Sequence, residues 1–215
     1  STSTVITTVA GNKLAIGYIS LGSLSDSVKA VSVDGVAPSV ENVKNGTYKI
    51  ARPFNICYKE DTLSELASDF VKFILSKEGQ NVINENGYIM VSENAESYTA
   101  SGLTGKITLA GSTSVSPVMD KLADAYKTLN ANVEIEIQQS GSGAGIESAT
   151  EGACDIGMSS RELKDTELAT LKSVKIADDG IAVIVNKENT VSNLTSEQIK
   201  NIYLGKLTDW SEISE

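Results

Sequence analysis

The chain has 215 residues, 40% of them hydrophobic, and so is long enough to bury a core in one large domain or two smaller lobes. Its formal net charge of -10 leaves no basic stripe to release counterions from a phosphate backbone, so we expect no nucleic-acid partner. The chain contains no histidine, which excludes Ser-His-Asp and Cys-His nucleophilic sites and His-ligated metals, and we expect neither a metal nor another cofactor.

Strands and helices alternate along the first half of the chain. After a short helical pattern that ends at Ile6–Val9, strand-length apolar runs occupy 14–21, 28–33 and 52–59. Apolar residues then recur at three- and four-residue spacing over 62–83, which predicts one amphipathic core helix. Residues 92–105 lose this periodicity and are polar, small and glycine-rich, which is typical of a linker.

The pattern restarts after the linker. Strands are predicted at 106–111, 133–140, 153–160 and 176–189, and helices at 116–129, from about Gly145, and at 195–203. Thr195 and Gln198 have the spacing of a capping box at the last helix. This alternation of strands and helices predicts an α/β fold with largely parallel sheets.

The chain has two cysteines, Cys57 and Cys154. They lie far apart in the sequence and outside any CxxC motif, which argues against a metal site or thioredoxin-type chemistry. We expect both to be buried free thiols packed as small apolar residues, and the sequence leaves a disulfide between them open.

Hydroxyl-rich loops follow three of the predicted strands. They have the sequences AGSTSVSP (110–117), QQSGSGAGIES (138–148) and MSSRE (158–162). In a parallel sheet, ligands bind beyond the carboxyl ends of the strands, where helices begin. Backbone N–H groups at helix starts, hydroxyl donors and the guanidinium of Arg161 suit a compact oxyanion such as phosphate or sulfate. The pattern therefore predicts an anion site made of dipoles and hydrogen bonds.

Each loop taken alone also has a simpler interpretation. Ser and Thr residues before a helix are ordinary N-caps. Arg161 is equally well explained as a surface residue beside Glu162. The glycine-rich run fits neither GxGxxG in register nor GxxxxGK[ST], so nucleotide binding is not favoured.

Longer segments resemble one family, the phosphate-binding proteins that serve bacterial ABC phosphate importers. Residues 105–213 resemble the amino-terminal half of that family through ITLAGSTSVSPVMDKLADAY, QQSGSGAGIESATEGACDIGMSSREL and LTSEQIKNIYLGKLTDWSEI. Residues 1–91 resemble its carboxyl-terminal part through STSTVITTVAGNKLAIGYISL and FVKFILSKEGQNVINENGYIMV. Nearly the whole chain is covered by the resemblance.

The order of these segments departs from the family. The family's carboxyl-terminal part here precedes its amino-terminal half, and residues 92–105 join the two. The family carries an arginine and a Gly-Ser-Gly-Thr motif between its halves, where the second lobe contacts phosphate, and neither is found in this chain. A fragment of a longer protein with one complete and one partial module would give this order. So would an engineered circular permutant with a deletion, or separate pieces numbered as one chain.

The resemblance implies a periplasmic-binding-protein type II fold, with one complete lobe in permuted order and an incomplete second lobe. The complete lobe is expected from 50–91 and 106–185, joined by the linker, and the second lobe from 1–49 and 186–215. A domain-swapped dimer is one way in which another molecule would complete the second lobe.

The same resemblance implies which residues contact phosphate. They are Thr113, Ser114, Ser142, Ser160 and Arg161, with Asp179 as a further candidate. Some relatives carry an aspartate at the position of Ser160, where it accepts the proton of hydrogenphosphate and helps to reject sulfate. Asp179 is the candidate for that role here. Because the second lobe's contacts are absent, we expect this chain alone to bind phosphate weakly, if at all.

The function implied is that of a non-enzymatic solute-binding protein that presents inorganic phosphate to a membrane ABC permease. We expect it outside the cell or in the periplasm, as a membrane-anchored lipoprotein whose signal is not in this chain, since residues 1–8 have no signal-like region. The alternative is a vestigial or duplicated lobe that acts as an interaction or regulatory module with little affinity. A phosphatase-like enzyme is disfavoured, because the chain lacks histidine, a CxxxxxR loop and a metal-holding carboxylate cluster.

Overall fold

The structure, a computed structural model, describes residues 1–213. The helices, in chain order, are α1 (Thr2–Gly11), α2 (Val40–Lys44), α3 (Glu65–Leu75), α4 (Lys77–Glu85), α5 (Ser116–Leu129), α6 (Ser142–Glu151), α7 (Asp165–Leu168) and α8 (Ser196–Tyr203). The strands are β1 (Ile16–Ser20), β2 (Lys29–Ala30), β3 (Ser32–Val33), β4 (Ala51–Tyr58), β5 (Ile89–Met90), β6 (Gly105–Gly111), β7 (Val133–Gln139), β8 (Ile156–Ser159), β9 (Lys172–Val185) and β10 (Asn193–Leu194). Among these described helices, none is long and apolar enough to cross a membrane.

The chain divides into two compact units. The small unit comprises Ser1–Ala51 and the chain from Gly180 onward, and the large unit comprises Arg52–Asp179. The chain therefore passes from one unit to the other within β4, between residues 51 and 52, and within β9, between residues 179 and 180. The sequence had suggested that these passages lie at 49/50 and 185/186. Because each strand continues without a break through its crossing, the local pattern gives little signal of the boundary. The polar residues Arg52 and Asp179 stand at the two crossings.

The large unit is a mixed sheet with helices on both faces. β6 lies between β7 and β8 and is parallel to both, while β4 pairs antiparallel with β8. Ile107 of β6 packs with Phe70 of α3 and Tyr126 of α5 in the main core. Ala110 points to the other face, where it packs against Ile146 of α6. The carboxyl ends of β6, β7 and β8 therefore meet at one edge of the sheet.

The two cysteines lie in the apolar layer beneath α6. Cys57 on β4 and Cys154 just before β8 are buried free thiols, and both belong to the cluster that contains Ile146. Burial raises the pKa of Cys57 to about 12. It also raises the pKa of Cys154. Both thiols therefore stay protonated at neutral pH and pack as small apolar side chains, as expected.

The small unit is built mainly on antiparallel pairs. β1 and β2 both pair antiparallel with the last part of β9, and β3 and β10 form a separate parallel pair. Val9 of α1 packs on Ile19 of β1 and Ile184 of β9. The expectation of largely parallel sheets therefore holds for β6, β7 and β8 but not for the small unit, because there the strands pair with a crossing strand that runs in the opposite direction.

The single helix predicted over 62–83 is two helices. Ser76, with φ -74° and ψ 168°, turns the chain out of helical geometry between α3 and α4. Its Oγ accepts the N–H of Gly79 at 3.3 Å and so caps α4. A Cβ at Gly79 would lie 2.2 Å from the carbonyl oxygen of Phe73, so the corner requires glycine. The apolar spacing continues through the corner, which is why the sequence reads as one helix.

The predicted linker forms no helix or strand before β6, yet it is held firmly on α3 and α4. The hydroxyl of Tyr98 donates to Oδ2 of Asp69 at 2.5 Å, and its backbone N–H donates to Oε2 of Glu78 at 2.6 Å. The Tyr98 ring packs edge-to-face on Phe73, with 5.3 Å between ring centroids. The segment is therefore a docked connection within the large unit.

Asp69 is the acceptor on which this docking depends. Besides Tyr98, the hydroxyls of Tyr126 and Ser101 donate to the same Oδ2, at 2.7 and 2.8 Å. Burial opposes the charged form of Asp69, but these hydrogen bonds outweigh it and hold the pKa of Asp69 below its usual value. The carboxylate therefore stays charged and ties the linker to α3 and α5.

We expect Asp69→Ala to lower the free energy of unfolding of the large unit by about 2 to 4 kcal/mol, because the buried hydroxyl of Tyr126 loses its acceptor. Asp61→Ala, which removes an exposed carboxylate of the same unit, should change it by less than about 0.5 kcal/mol. Urea denaturation followed by circular dichroism measures both values. Equal effects of the two substitutions would show that Asp69 does not have this role.

Candidate anion-binding site

The three hydroxyl-rich loops come together at the carboxyl ends of β6, β7 and β8. The carbonyl oxygen of Gly111 accepts the N–H of Ser140 at 3.0 Å and that of Gly141 at 2.8 Å, which joins the first loop to the second. The N–H of Ser112 donates to the carbonyl oxygen of Met158 at 2.9 Å, which joins the first loop to the third. We call this cluster of residues, 111–116, 139–144 and 158–161, the strand-end site.

Ser142 and Ser160 form the contact between the second and third loops. The N–H of Ser160 donates to Oγ of Ser142 at 3.1 Å, and the two hydroxyl oxygens lie 3.3 Å apart. Hydroxyl hydrogens rotate to suit their surroundings, so at least one of the pair can donate to a third group. Two residues predicted to contact the same anion are therefore immediate neighbours.

The helix α6 begins at this pair. Its N-cap residue is Gly141, with φ 92° and ψ 154°, and no side chain caps the first turn. A positive φ of this kind is readily adopted only by glycine. The first N–H groups of a helix have no intrahelical partner and carry partial positive charge. The first turn of α6 therefore offers backbone donors beside the Ser142 hydroxyl, an arrangement suited to anions.

Glycines allow α6 to approach β6 closely. A Cβ at Gly145 would lie 2.4 Å from Cα of Gly111 and 2.5 Å from the carbonyl oxygen of Ala110. A Cβ at Gly111, whose φ is 143°, would lie 2.2 Å from the carbonyl oxygen of Met158. Gly143 differs, because no atom lies within 4 Å of its Cβ position. Open space therefore lies over the first turn of α6.

The loop after β6 and the first residue of α5 carry four hydroxyl side chains. Those of Ser112 and Ser116 hydrogen-bond to the backbone of this loop. The carbonyl oxygen of Ser112 accepts both the N–H and the hydroxyl of Ser116, at 3.1 and 2.9 Å. The Oγ of Ser112 accepts the N–H of Ser114 at 3.3 Å. Thr113 and Ser114 are half-buried, and their own hydroxyls make no hydrogen bond within residues 1–213. They are the hydroxyls of this loop that are left for a ligand.

The guanidinium of Arg161 is directed to Glu167 of α7. Its Nη1 and Nη2 donate to the two carboxylate oxygens of Glu167 at 2.9 and 2.8 Å, and Nη1 also donates to the carbonyl oxygen of Glu162 at 2.8 Å. The sequence predicts that Arg161 binds an oxyanion through two N–H groups, but here these groups bind the carboxylate of Glu167. A guanidinium has two more N–H donors than these three bonds use, and those remain for an anion.

Buried polar residues hold the backbone of the third loop. The Nδ2 of Asn55 and the Oγ of Ser159 both donate to the carbonyl oxygen of Arg161, at 3.1 and 2.8 Å. Both side chains are buried. Neither Asn55 nor Glu167 was singled out from the sequence. The asparagine inside the apolar run of β4 was the available signal, whereas nothing near Glu167 distinguishes it from other surface carboxylates.

Asp179 is fully buried on β9, at the boundary of the large unit. Its Oδ2 accepts a hydrogen bond from Nε of Arg52 at 3.0 Å, and the Arg52 guanidinium stands 5.6 Å from the centroid of the Phe54 ring. The sequence patterns had not singled out Arg52. A contact between Asp179 and an anion stays a prediction, and within the large unit this carboxylate is the partner of a cation.

Comparisons with known proteins identify the family. The PBP superfamily domain model matches residues 96–214. Phosphate-binding protein PstS 2 of Streptococcus agalactiae is 51% identical over 216 residues, which cover 100% of this chain and 73% of that protein. This chain belongs to the PBP superfamily, in the family of these phosphate-binding proteins. A crystal structure of the phosphate-binding protein of a phosphate ABC transporter from Streptococcus pneumoniae TIGR4 is 47% identical, with a TM-score of 0.82 over 100% of this chain and 83% of that chain.

The chain therefore has the periplasmic-binding-protein type II fold that the resemblance implied, whereas the permuted order of its lobes stays a prediction. A further relative, phosphate-binding protein PstS of Staphylococcus saprophyticus, is 36% identical over 118 residues, or 51% of this chain and 37% of that protein. The S. agalactiae match runs through the whole chain in one alignment, so the two proteins share the order of their segments. The Staphylococcus match follows only about half of the chain.

We expect Gly145→Ala to destabilise the large unit by about 1 to 3 kcal/mol or more, because its Cβ would overlap Gly111 and Ala110. Gly143→Ala lies in the same turn of α6 but meets no atom, so it should be neutral or should stabilise the helix by up to about 1 kcal/mol. Thermal unfolding of both variants tests the difference. A stable Gly145→Ala protein would contradict the close packing of α6 on β6.

The pair of Arg161 and Glu167 gives the third loop a pH dependence. The hydrogen bond from Arg161 is the main cause that lowers the pKa of Glu167 from 4.5 to about 2. A carboxyl group whose pKa is lowered by folding stabilises the fold above its unfolded pKa, and this contribution is lost as the pH falls from about 4.5 toward about 2. Because Arg161 is partly exposed, solvent screening keeps the effect small.

We expect Glu167→Gln to flatten the dependence of the unfolding midpoint on pH between about 2 and 5. Glu147→Gln removes an exposed carboxylate from α6 and should leave that dependence as it is in the unmodified chain. Urea denaturation at a series of pH values makes the comparison. A Glu167→Gln profile that coincides with that of the unmodified chain would rule out the pair as a contributor.

Proposed function

We propose that this chain captures inorganic phosphate as part of a solute-binding protein of an ABC importer. The observation that carries the proposal is the strand-end site, where the hydroxyl oxygens of Ser142 and Ser160 lie 3.3 Å apart at the uncapped start of α6. The relatives named phosphate-binding proteins agree with this chemistry. Capture and delivery of an anion require no catalytic group, and we propose no enzymatic activity.

The donors of the strand-end site have distinct roles in this proposal. Ser142, Ser160 and the first N–H groups of α6 contact one side of the anion. Thr113 and Ser114 contact it from the start of α5. Arg161 contributes the N–H donors that Glu167 does not use, while Glu167 keeps the guanidinium in place.

Asp179 is proposed to discriminate between oxyanions. Hydrogenphosphate carries a proton that a carboxylate accepts, whereas sulfate has no proton to donate at neutral pH and is repelled. Arg52 donates to Oδ2 of Asp179 at 3.0 Å and so orients this carboxyl group. In this proposal, sulfate competes more effectively with phosphate when Asp179 is replaced by asparagine.

The complete protein is proposed to work outside the cytoplasmic membrane, as a lipoprotein that delivers phosphate to a membrane permease. The order of segments shared with the S. agalactiae protein supports a natural permuted order within the family, in preference to an engineered one. The half-length match of the Staphylococcus protein fits the same view, because one alignment cannot follow two different orders.

A second candidate function rests on the Arg161 geometry. A guanidinium that is already engaged in a bidentate pair with Glu167 is what a lobe with little ligand affinity would show. In that case the chain serves as an interaction or regulatory module. The two functions differ in whether phosphate perturbs the strand-end site at all.

A titration with phosphate followed by NMR tests the main proposal and suits weak binding. We expect the amide signals of Ser142, Gly143 and Ser160 to shift with phosphate at millimolar concentration. Ser142→Ala should weaken binding roughly tenfold or more, because one hydrogen bond to a charged group contributes about 1.5 to 3 kcal/mol. Ser148→Ala, six residues further along α6, serves as the matched control and should leave binding unchanged.

The outcomes separate the two candidate functions. Saturating shifts confined to the strand-end site, and lost in Ser142→Ala, support phosphate capture. An absence of shifts at tens of millimolar phosphate, in the unmodified chain and in Glu167→Gln alike, contradicts phosphate capture by this chain and leaves the interaction module as the better description.

A further inference from the structure

Asn55 is a buried amide in an otherwise apolar stretch of β4. Phe54, Ile56 and Tyr58 belong to the main core, whereas the alternation of the strand directs Asn55 to the opposite face, with Cys57. Asn55 is only 1% exposed. Burial of an amide costs free energy unless its polar atoms are hydrogen-bonded. An apolar residue would pack beside Cys57 without that cost, so the asparagine calls for an explanation in its hydrogen bonds.

The register of the sheet places Asn55 beside the end of β8. The two strands run antiparallel, with Asn55 opposite Ser159, the last residue of β8. Directly opposite residues of paired strands have their side chains on the same face. Nδ2 of Asn55 and Oγ of Ser159 both donate to the carbonyl oxygen of Arg161, at 3.1 and 2.8 Å. A carbonyl oxygen has two lone pairs, so these two donors fill its capacity.

The backbone of Arg161 is thereby held on both sides of its Cα. Besides the two bonds to its carbonyl oxygen, its N–H donates to Oγ of Ser159 at 3.3 Å. Nδ2 of Asn55 also lies 3.4 Å from Oε2 of Glu162, the next residue of the loop. The two peptide groups that flank Arg161 set the direction in which its side chain leaves the chain. Asn55 therefore acts on that direction from the neighbouring strand.

The direction matters because the guanidinium of Arg161 shares its donors between two edges. Glu167 binds the edge formed by Nη1 and Nη2, and the carbonyl oxygen of Glu162 takes the other N–H of Nη1. Nε–H and the second N–H of Nη2 make no hydrogen bond within residues 1–213. These two lie along one edge of the planar group, and such an edge binds two oxygens of one anion.

We propose that Asn55 is a positioning residue of the strand-end site, which holds the backbone of Arg161 so that the free edge of its guanidinium is available to the anion. Asn55 itself does not touch the anion in this role. The part of the proposal that concerns the anion rests on the proposed phosphate function. The part that concerns the placement of Arg161 against Glu167 does not, and it is measurable without phosphate.

Asn55→Leu separates positioning from a purely structural role. Leucine has nearly the shape of asparagine, the carbonyl oxygen of Arg161 keeps its Ser159 donor, and the exposed Glu162 carboxylate is left to water, so stability should change little. The hydrogen bond from Arg161 holds the pKa of Glu167 at about 2. We expect this pKa to rise toward 4.5 in Asn55→Leu, because a displaced guanidinium no longer binds both carboxylate oxygens. NMR of the Glu167 carboxylate across pH measures it.

Phosphate titration of the same variant gives the second readout. We expect Asn55→Leu to weaken phosphate binding roughly tenfold, the loss expected when a hydrogen bond to a charged group is misplaced. Asn186→Leu makes the same exchange at a buried asparagine of the small unit, which donates to the carbonyl oxygens of Val9 and Ala10. It should leave the Glu167 titration and the phosphate shifts unchanged. Asn55→Ala, which also removes the amide, should reproduce both effects and serves if Asn55→Leu does not fold.

The outcomes distinguish this inference from the proposed function. A raised pKa of Glu167 together with weaker phosphate binding supports the inference. An unchanged Glu167 titration in both variants overturns it, even where the unmodified chain binds phosphate. A raised pKa with undiminished phosphate binding overturns the role of Asn55 at the strand-end site, because the placement of Arg161 then does not serve the anion. An unmodified chain without phosphate shifts contradicts the proposed function and, with it, that role.

Discussion

The contact between α6 and β6 is the constraint on which the strand-end site depends. Gly145 and Gly111 leave no room for a side chain between the helix and the strand, and this fixes the position of the first turn of α6. Ser142 begins that turn, so its hydroxyl and the uncapped N–H groups are placed by the same contact. Parallel pairing of β6 and β8 then brings Ser160 within hydrogen-bond distance. The donors are therefore positioned by backbone packing, which costs little reorganisation when a ligand binds.

The strongly acidic charge of the chain does not oppose anion binding at such a site. Charges farther away than about 10 Å are largely screened, whereas the donors of the strand-end site would act at contact distance. The two arginines of the chain, Arg52 and Arg161, both pair with carboxylates, Asp179 and Glu167. Neutral hydroxyls and backbone N–H groups therefore supply most of the available donors. If the strand-end site binds anions, we expect it to select among them by geometry and by the placement of protons, because its one cationic side chain, Arg161, is already paired with Glu167.

The sequence was sufficient for features that depend on local pattern. The alternation of β6, α5, β7, α6 and β8, and the grouping of their three loops, follow from periodicity and from the rule that ligands bind at the carboxyl ends of parallel strands. The corner at Ser76 was not predictable, because the apolar spacing of α3 continues into α4. The pairing of Arg161 with Glu167 was not predictable either, since a contact six residues apart across a loop leaves no periodic signal. The antiparallel pairing in the small unit depends on contacts between distant segments, which single-sequence patterns do not show.

In both units a helix leads into a strand that pairs with a crossing strand, and we call this a helix–strand motif: α1 and β1 form it in the small unit, and α6 and β8 in the large unit. In each unit, the motif packs against a crossing strand, and this contact is the same whether the motif comes before or after that strand in the sequence. Loop-closure entropy rises only slowly with loop length, so the connection through residues 92–104 costs little. The docking of Tyr98 on Asp69 and Phe73 offsets part of that cost. The two motifs differ in their second neighbour. β8 pairs with β6 as well as with β4, whereas β1 pairs with β9 alone among the described residues.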